Sequence, residues 1–176
     1  MREIADDITW LQSVLDQSIE RAGPYLRSSF RMPDHSLNAG QLITLLEDTL
    51  EVALATVTAK GEPRVAPTAA LFYRGRFYIP TLEASARVKQ LRRSPAVSLT
   101  YYEGIDIAVI VHGRAGFVEP PDADFTDLYE LQQETSGQNV RGWGENPLFI
   151  RVDPDVIYTF ARIPESIAEH DAPSLE

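Results

Sequence analysis

The chain of 176 residues has no cysteine, which excludes disulfides, thiolate metal sites and cysteine nucleophiles. It has no run of about 18 apolar residues, so no transmembrane helix is expected. The opening Met1-Arg2-Glu3-Ile4-Ala5-Asp6-Asp7 lacks the apolar stretch of a signal peptide, and the cytoplasm is the expected compartment. Cations are outnumbered, 16 Lys and Arg against 26 Asp and Glu, for a net charge of -10. Such a chain does not suit nucleic acid as its main partner. Its acidic first segment does not suit a membrane surface. There is no Gly-rich phosphate loop and no dinucleotide fingerprint. The three histidines, His35, His112 and His170, are far apart, so no metal site is expected, and His112, alternating with apolar neighbours, reads as structural. Asp106 has no partner carboxylate at a telling spacing for acid-base work. Asp122 and Asp124 open a helix, where they favour its dipole.

Lysine is also rare, with only Lys60 and Lys89. Lys89 belongs to the one place where cations gather, Ala84-Ser85-Ala86-Arg87-Val88-Lys89-Gln90-Leu91-Arg92-Arg93-Ser94. That stretch holds four cations and no acid in an acidic protein, which points to a specific anionic ligand. It follows a strand-like run that ends at Thr81. The free amides of a helix start, the hydroxyls of Thr81 and Ser85, and the cations Arg87 and Lys89 can converge on one phosphate. The same charges would also suit a solvated helix face, with Arg92 and Arg93 favouring the dipole at its C-terminal end.

The 44% hydrophobic content supports one domain with a real core. Ile4, Ile8, Leu11, Leu15 and Ile19 recur at helical spacing, with Trp10 and Val14 widening the stripe, until Gly23-Pro24 stops it. The stripe is a packing surface, either against the chain's own barrel or against a partner. Residues 24–37 read as an irregular connection and 38–48 as a second helix. Strands then dominate. Val52–Thr58 and Arg64–Tyr73 make a hairpin about Lys60-Gly61, and Arg76–Thr81 follows. Beyond the basic helix come Ala96–Tyr102, Ile105–His112 and Arg114–Glu119, the last two separated by a break at Gly113. Pro120–Thr135 reads as a helix, and Pro147–Val152 and Val156–Phe160 as two late strands. Many short antiparallel strands with one inserted helix predict a small barrel.

In this order, Leu54-Ala55-Thr56-Val57, Gly61 to Pro67, Phe77-Tyr78-Ile79-Pro80-Thr81 and Ser85 to Leu99 resemble the pyridoxamine 5'-phosphate oxidase-like superfamily. The resemblance covers about residues 38–162. It divides the chain into an N-terminal helical extension (1–37), a flavin-binding domain (38–162) and an acidic tail (163–176). It implies a mainly β fold with flanking helices, a six-stranded antiparallel split β-barrel of the FMN-binding type, assembled as a homodimer with cofactor at the interface. Surplus apolar surface, the N-terminal stripe included, points to the same dimer. The family's phosphate-holding positions fall on Thr81, Ser85, Arg87 and Lys89. Arg64, Val65, Pro67 and Thr68 would run along the cofactor ring. Trp143, in the loop Gly137–Glu145, is a candidate to stack on a substrate or cofactor ring, or else folds into the barrel rim.

The chain departs from the vitamin B6 enzymes at its C-terminal end, which runs Val156–Arg162 into an acidic tail, so vitamin B6 oxidation is not the expected activity. The expectation is a flavin-dependent oxidoreductase acting on a small molecule, with FMN as cofactor and no protein side chain acting as catalyst. F420 is the alternative cofactor, for whose polyglutamate tail Arg92, Arg93 and Arg141 are the candidate cations. A non-catalytic carrier of flavin, deazaflavin or haem is the rival from another class.

Overall fold

The hydrophobic stripe of the first segment forms helix α1, Ala5–Arg21, in a computed structural model that describes residues 3–48 and 50–168. Leu11 and Leu15 on its inner face are buried. The Ser18 hydroxyl on the same face accepts a 2.9 Å hydrogen bond from the Ile157 amide of the barrel. The chain's own barrel therefore covers the middle of this stripe, while Ile4 at its start stays 57% exposed. Leu11, Leu15 and Leu37 join the same core cluster as the strands. Residues 24–37 are more ordered than expected. Gly23-Pro24 stops α1 but also starts helix α2, Pro24–Ser29, because proline at a first helical position gives up an N–H that would have no partner there. Helix α3, Ala39–Leu45, opens on a capping box: Asn38 Oδ1 accepts from the Gln41 amide at 2.8 Å, and Gln41 Oε1 accepts from the Asn38 amide at 3.1 Å.

Six antiparallel strands follow. They are β1 (Leu50–Val57), β2 (Pro63–Tyr73), β3 (Arg76–Leu82), β4 (Ala96–Glu103), β5 (Ile107–Val118) and β6 (Pro147–Ala161). They close into a barrel in the order β1-β2-β3-β6-β5-β4, the ring being completed by β1 against β4. Helix α4, Ala86–Arg93, joins β3 to β4, and helix α5, Ala123–Ser136, joins β5 to β6. The two late strands expected at 147–152 and 156–160 are one strand, and Gly113 does not end β5. The physical reason lies between them. His112 faces Val156 and Gly113 faces Pro154, so Asp155 is the extra residue of a bulge. A Cβ on Gly113 would fall 2.1 Å from the Asp153 carbonyl oxygen. Glycine here admits a close backbone approach and lets the ladder continue past the bulge.

Alternation sorts the side chains into two cores. Val52, Leu54, Phe77, Ile79, Val97, Leu99, Val109 and Ile150 fill the barrel, closed by Leu42 and Leu46 and flanked by Val88 and Leu91 of α4. Tyr78 and Phe149 point outward and are covered by Phe125, Leu128 and Leu131 of α5. Strand β3 is thus buried on both faces, which is why Phe77-Tyr78-Ile79-Pro80 reads as an unbroken apolar run.

Candidate functional site

Strands β2 and β3 pair over only three rungs, Leu71 with Tyr78, Phe72 with Phe77 and Tyr73 with Arg76. Continued, that register would set Ala69 against Pro80 and Thr68 against Thr81. Pro80 has no N–H to give such a ladder, and neither has Pro67 two residues before Ala69. The strands part instead. Strand β2 stays on β1 as far as Pro63, while β3 follows β6 as far as Leu82. The gap between them is a cleft of about 500 Å³.

One side of the cleft is polar. Thr68 and Thr81 face it from the two strands, and Ser85 and Arg87 face it from the start of α4. The Ser85 hydroxyl caps the helix, accepting from the Val88 amide at 3.4 Å and from the Thr81 hydroxyl at 3.2 Å. The earlier first-turn amides are left for a ligand. Arg87 reaches across the gap and donates from Nη1 to Thr68 Oγ1 at 2.7 Å. Burial pushes the pKa of its guanidinium down, though an arginine remains a cation at working pH. Among the described residues no carboxylate pairs with Arg87, and no acidic side chain lines the cleft. A half-buried, uncompensated cation beside two threonines and a helix start suits a phosphate. The other side is apolar, formed by Ala69, Pro80, Leu82 and the indole of Trp143.

The cleft therefore gathers Thr68, Thr81, Ser85, Arg87 and Trp143. It does not gather the remaining candidates. Lys89 follows Arg87 by two residues, which turns it about 200° around the helix, and it stands exposed, outside the cleft lining and without an ion pair among the described residues. Arg64 pairs with Glu62 at 2.7 Å. With Val65 and Pro67 it lies on the half of β2 that has lost β3, where Val65 is 71% exposed. Pro80 and Leu82 were not singled out from the sequence as site residues; the signal for them was a proline inside the strand-like run Arg76–Thr81.

The cations once assigned to a polyglutamate tail are engaged elsewhere. Arg92 is forked onto Glu83 at 3.0 and 2.7 Å, also bonds Glu119, and lies 4.4 Å over the Phe117 ring. Its pKa is raised by those two carboxylates, and that of Glu83 is correspondingly lowered. Arg93 donates to the Val57 carbonyl at 3.1 Å, and Arg141 stacks on Tyr129 and Phe125 at 4.5 and 5.3 Å. His112 hydrogen-bonds Ser98 at 2.7 Å and His35 bonds the Ala161 carbonyl at 2.9 Å, neither in the cleft. His170 lies outside the described residues. An open groove of about 660 Å³ runs beside α1, but its charged lining is acidic, Asp16 and Glu20 among it, and suits no anion. Among the described residues no cluster of three or more potential metal ligands occurs, and no helix is long and apolar enough to cross a membrane.

Comparison with known proteins agrees with this architecture. The family model described as pyridoxamine 5'-phosphate oxidase matches residues 41–160. A search of curated proteins found no match. Among solved structures, a conserved hypothetical protein of Mycobacterium tuberculosis is similar with a TM-score of 0.66 at 18% identity, over 81% of this chain and 96% of its own. The heme storage protein HutZ of Vibrio cholerae gives 0.57 at 17%, over 69% and 93%. An F420 reductase gives 0.54 at 20%, over 65% and 94%. At these identities the likeness shows a shared fold and does not choose among ligands.

Proposed function

Because the chain belongs to the pyridoxamine 5'-phosphate oxidase family, we propose that it is a flavin-dependent oxidoreductase that binds FMN in the cleft between β2 and β3 and acts on a small molecule. The observation that carries this reading is Arg87, half-buried, without a carboxylate partner among the described residues and aimed at Thr68. When bound, a flavin supplies hydride-transfer chemistry. The chain's own part is binding and orientation. Arg87, Thr68, Thr81 and Ser85 hold the phosphate. Lys89, two residues on and turned away from this corner, adds only a solvent-screened cation on the same helix. Arg64, Val65 and Pro67 on the freed edge of β2 line the path of the ring. No side chain in the cleft is an acid or a base, so rate enhancement would come from positioning and from exclusion of water.

The freed edge also supports a homodimer that shares the site. Residues 63–67 are exposed on a strand with one unpaired edge, and such an edge needs cover. F420 is the second reading, since it too joins a phosphate to a tricyclic ring. It is the weaker one, because Arg92, Arg93 and Arg141 already have partners and the rest of the surface is acidic. A haem-binding role like that of the heme storage protein HutZ finds no histidine among the residues that line the cleft. The test is titration of apo-protein with FMN, F420 and haem, followed by reduction of the loaded protein with a nicotinamide cofactor. FMN binding at least tenfold tighter than the others, with reduction, supports the proposal. FMN binding without reduction supports a carrier, and preference for F420 or haem refutes the cofactor assignment. Light scattering over a dilution series tests the dimer; a monomer that binds FMN undiminished would rule out a shared site.

A further inference from the structure

Indoles are among the more buried side chains on average, yet Trp143 keeps 43% of its surface exposed while lining the cleft. The segment that carries it is firmly held. Val140 is fully buried, and its amide donates to Gln132 Oε1 at 3.1 Å, Gln132 being itself buried on α5. The Asn139 carboxamide caps the single 3-10 turn Val140–Trp143, accepting from the Gly142 amide at 3.3 Å. Arg141 lies over Tyr129 on the α5 side. Gly144 passes so close to Leu82 that a Cβ there would lie 2.9 Å from Leu82 Cδ1. Both flanks of Trp143 are pinned, one to α5 and the other to the apolar wall of the cleft. Among the described residues nothing accepts a hydrogen bond from its indole N–H. A rigid, half-exposed aromatic face opposite a phosphate-binding corner is what a ligand ring requires.

We infer that Trp143 stacks on the conjugated ring of the ligand whose phosphate meets Arg87. The loop 137–146, outside the barrel strands, is then the element that selects a planar ring. The cleft would recognise the two ends of one molecule by two separate devices: charge and hydroxyls at the α4 corner, and a flat apolar face at the loop. This inference rests on the proposed flavin site and adds a residue and a recognition rule to it.

The experiment compares the parent protein, Trp143→Leu and Trp143→Phe, each as purified full-length apo-protein. FMN affinity is read from the change in its visible absorption. Inorganic phosphate is titrated as a competitor, which probes the α4 corner alone. Base–aromatic stacking removed by truncation costs enough to expect a roughly tenfold loss of FMN affinity in Trp143→Leu. Trp143→Phe should stay within about threefold of the parent, since a smaller ring still stacks. The inhibition constant of phosphate should be the same in all three. Unchanged FMN affinity in Trp143→Leu overturns the inference while leaving the flavin site intact. Parallel loss of FMN and phosphate binding in Trp143→Leu also overturns it, since the indole would then be supporting the whole cleft. Absence of FMN binding by the parent refutes the flavin reading itself, and the inference with it.

Discussion

Replacing Arg87 with alanine should separate the phosphate from the rest of the ligand. The guanidinium donates at 2.7 Å to Thr68 and, among the described residues, has no carboxylate to neutralise it. A charge-assisted hydrogen bond to a phosphate is worth about 1.5–3 kcal/mol, so FMN affinity should fall roughly 10- to 150-fold. Riboflavin has the ring and no phosphate, so its affinity should change less than about threefold. Fold stability should barely move. The variant loses one hydrogen bond of about 1 kcal/mol but also loses a desolvated charge, the effect seen as the lowered pKa of Arg87. Calorimetric titration of parent and Arg87→Ala with FMN and riboflavin, with a thermal melt of each apo-protein, reads all three quantities. Equal loss for FMN and riboflavin, or none for either, would refute the placement of phosphate at the start of α4.

Three further expectations follow from the same geometry. Lys89→Ala should cost FMN affinity only a few-fold at low salt and nothing near ~1 M salt, because an exposed cation is screened; a loss as large as that of Arg87→Ala would mean that Lys89 reaches the phosphate in the assembled protein. Gly113→Ala should destabilise by roughly 1–3 kcal/mol or more in urea unfolding, since its Cβ would meet the Asp153 carbonyl at 2.1 Å; a neutral substitution would contradict the close approach of β5 and β6. Burial, the largest cause in each case, pushes the hydroxyl pKa of Tyr73 and of Tyr78 up to about 12. The unfolded chain therefore ionises first, near pH 10, so the contribution of these two hydroxyls to stability should be level below pH 10 and fall between about 10 and 12, by up to roughly 1.4 kcal/mol per pH unit for each tyrosine. Tyr78→Phe should shallow that fall in alkaline unfolding curves, and an unaltered slope would count against the burial of its hydroxyl.

The sequence by itself determined the local elements. Period-two alternation marks β1, β4 and β5, the 3- and 4-residue recurrence from Ile4 to Ile19 marks α1, and the basic run after the strand end at Thr81 marks α4. These signals are carried by neighbours within a few residues, so they survive without a tertiary fold. The run of short antiparallel strands also carried the barrel, and the resemblance of the segments from Leu54 to Leu99 carried the family. What the tertiary structure alone decided was which of these residues meet. Thr68 and Arg87 are 19 positions apart and come together only because β2 and β3 separate after three rungs, an outcome of strand register. Lys89 shares the helix and the charge of Arg87 but not its direction, a difference of rotation that composition does not carry. Arg92 reads as a free cation in the sequence, whereas the fold forks it onto Glu83 and adds Glu119 from the end of β5. Trp143 became a wall of the cleft because Gln132 and Leu82, from opposite sides, hold its loop against the open edge of the barrel. The contacts of Arg87 with Thr68, Arg92 with Glu119 and Gly144 with Leu82 join segments distant in the chain, and closure of the barrel is what brings them within reach.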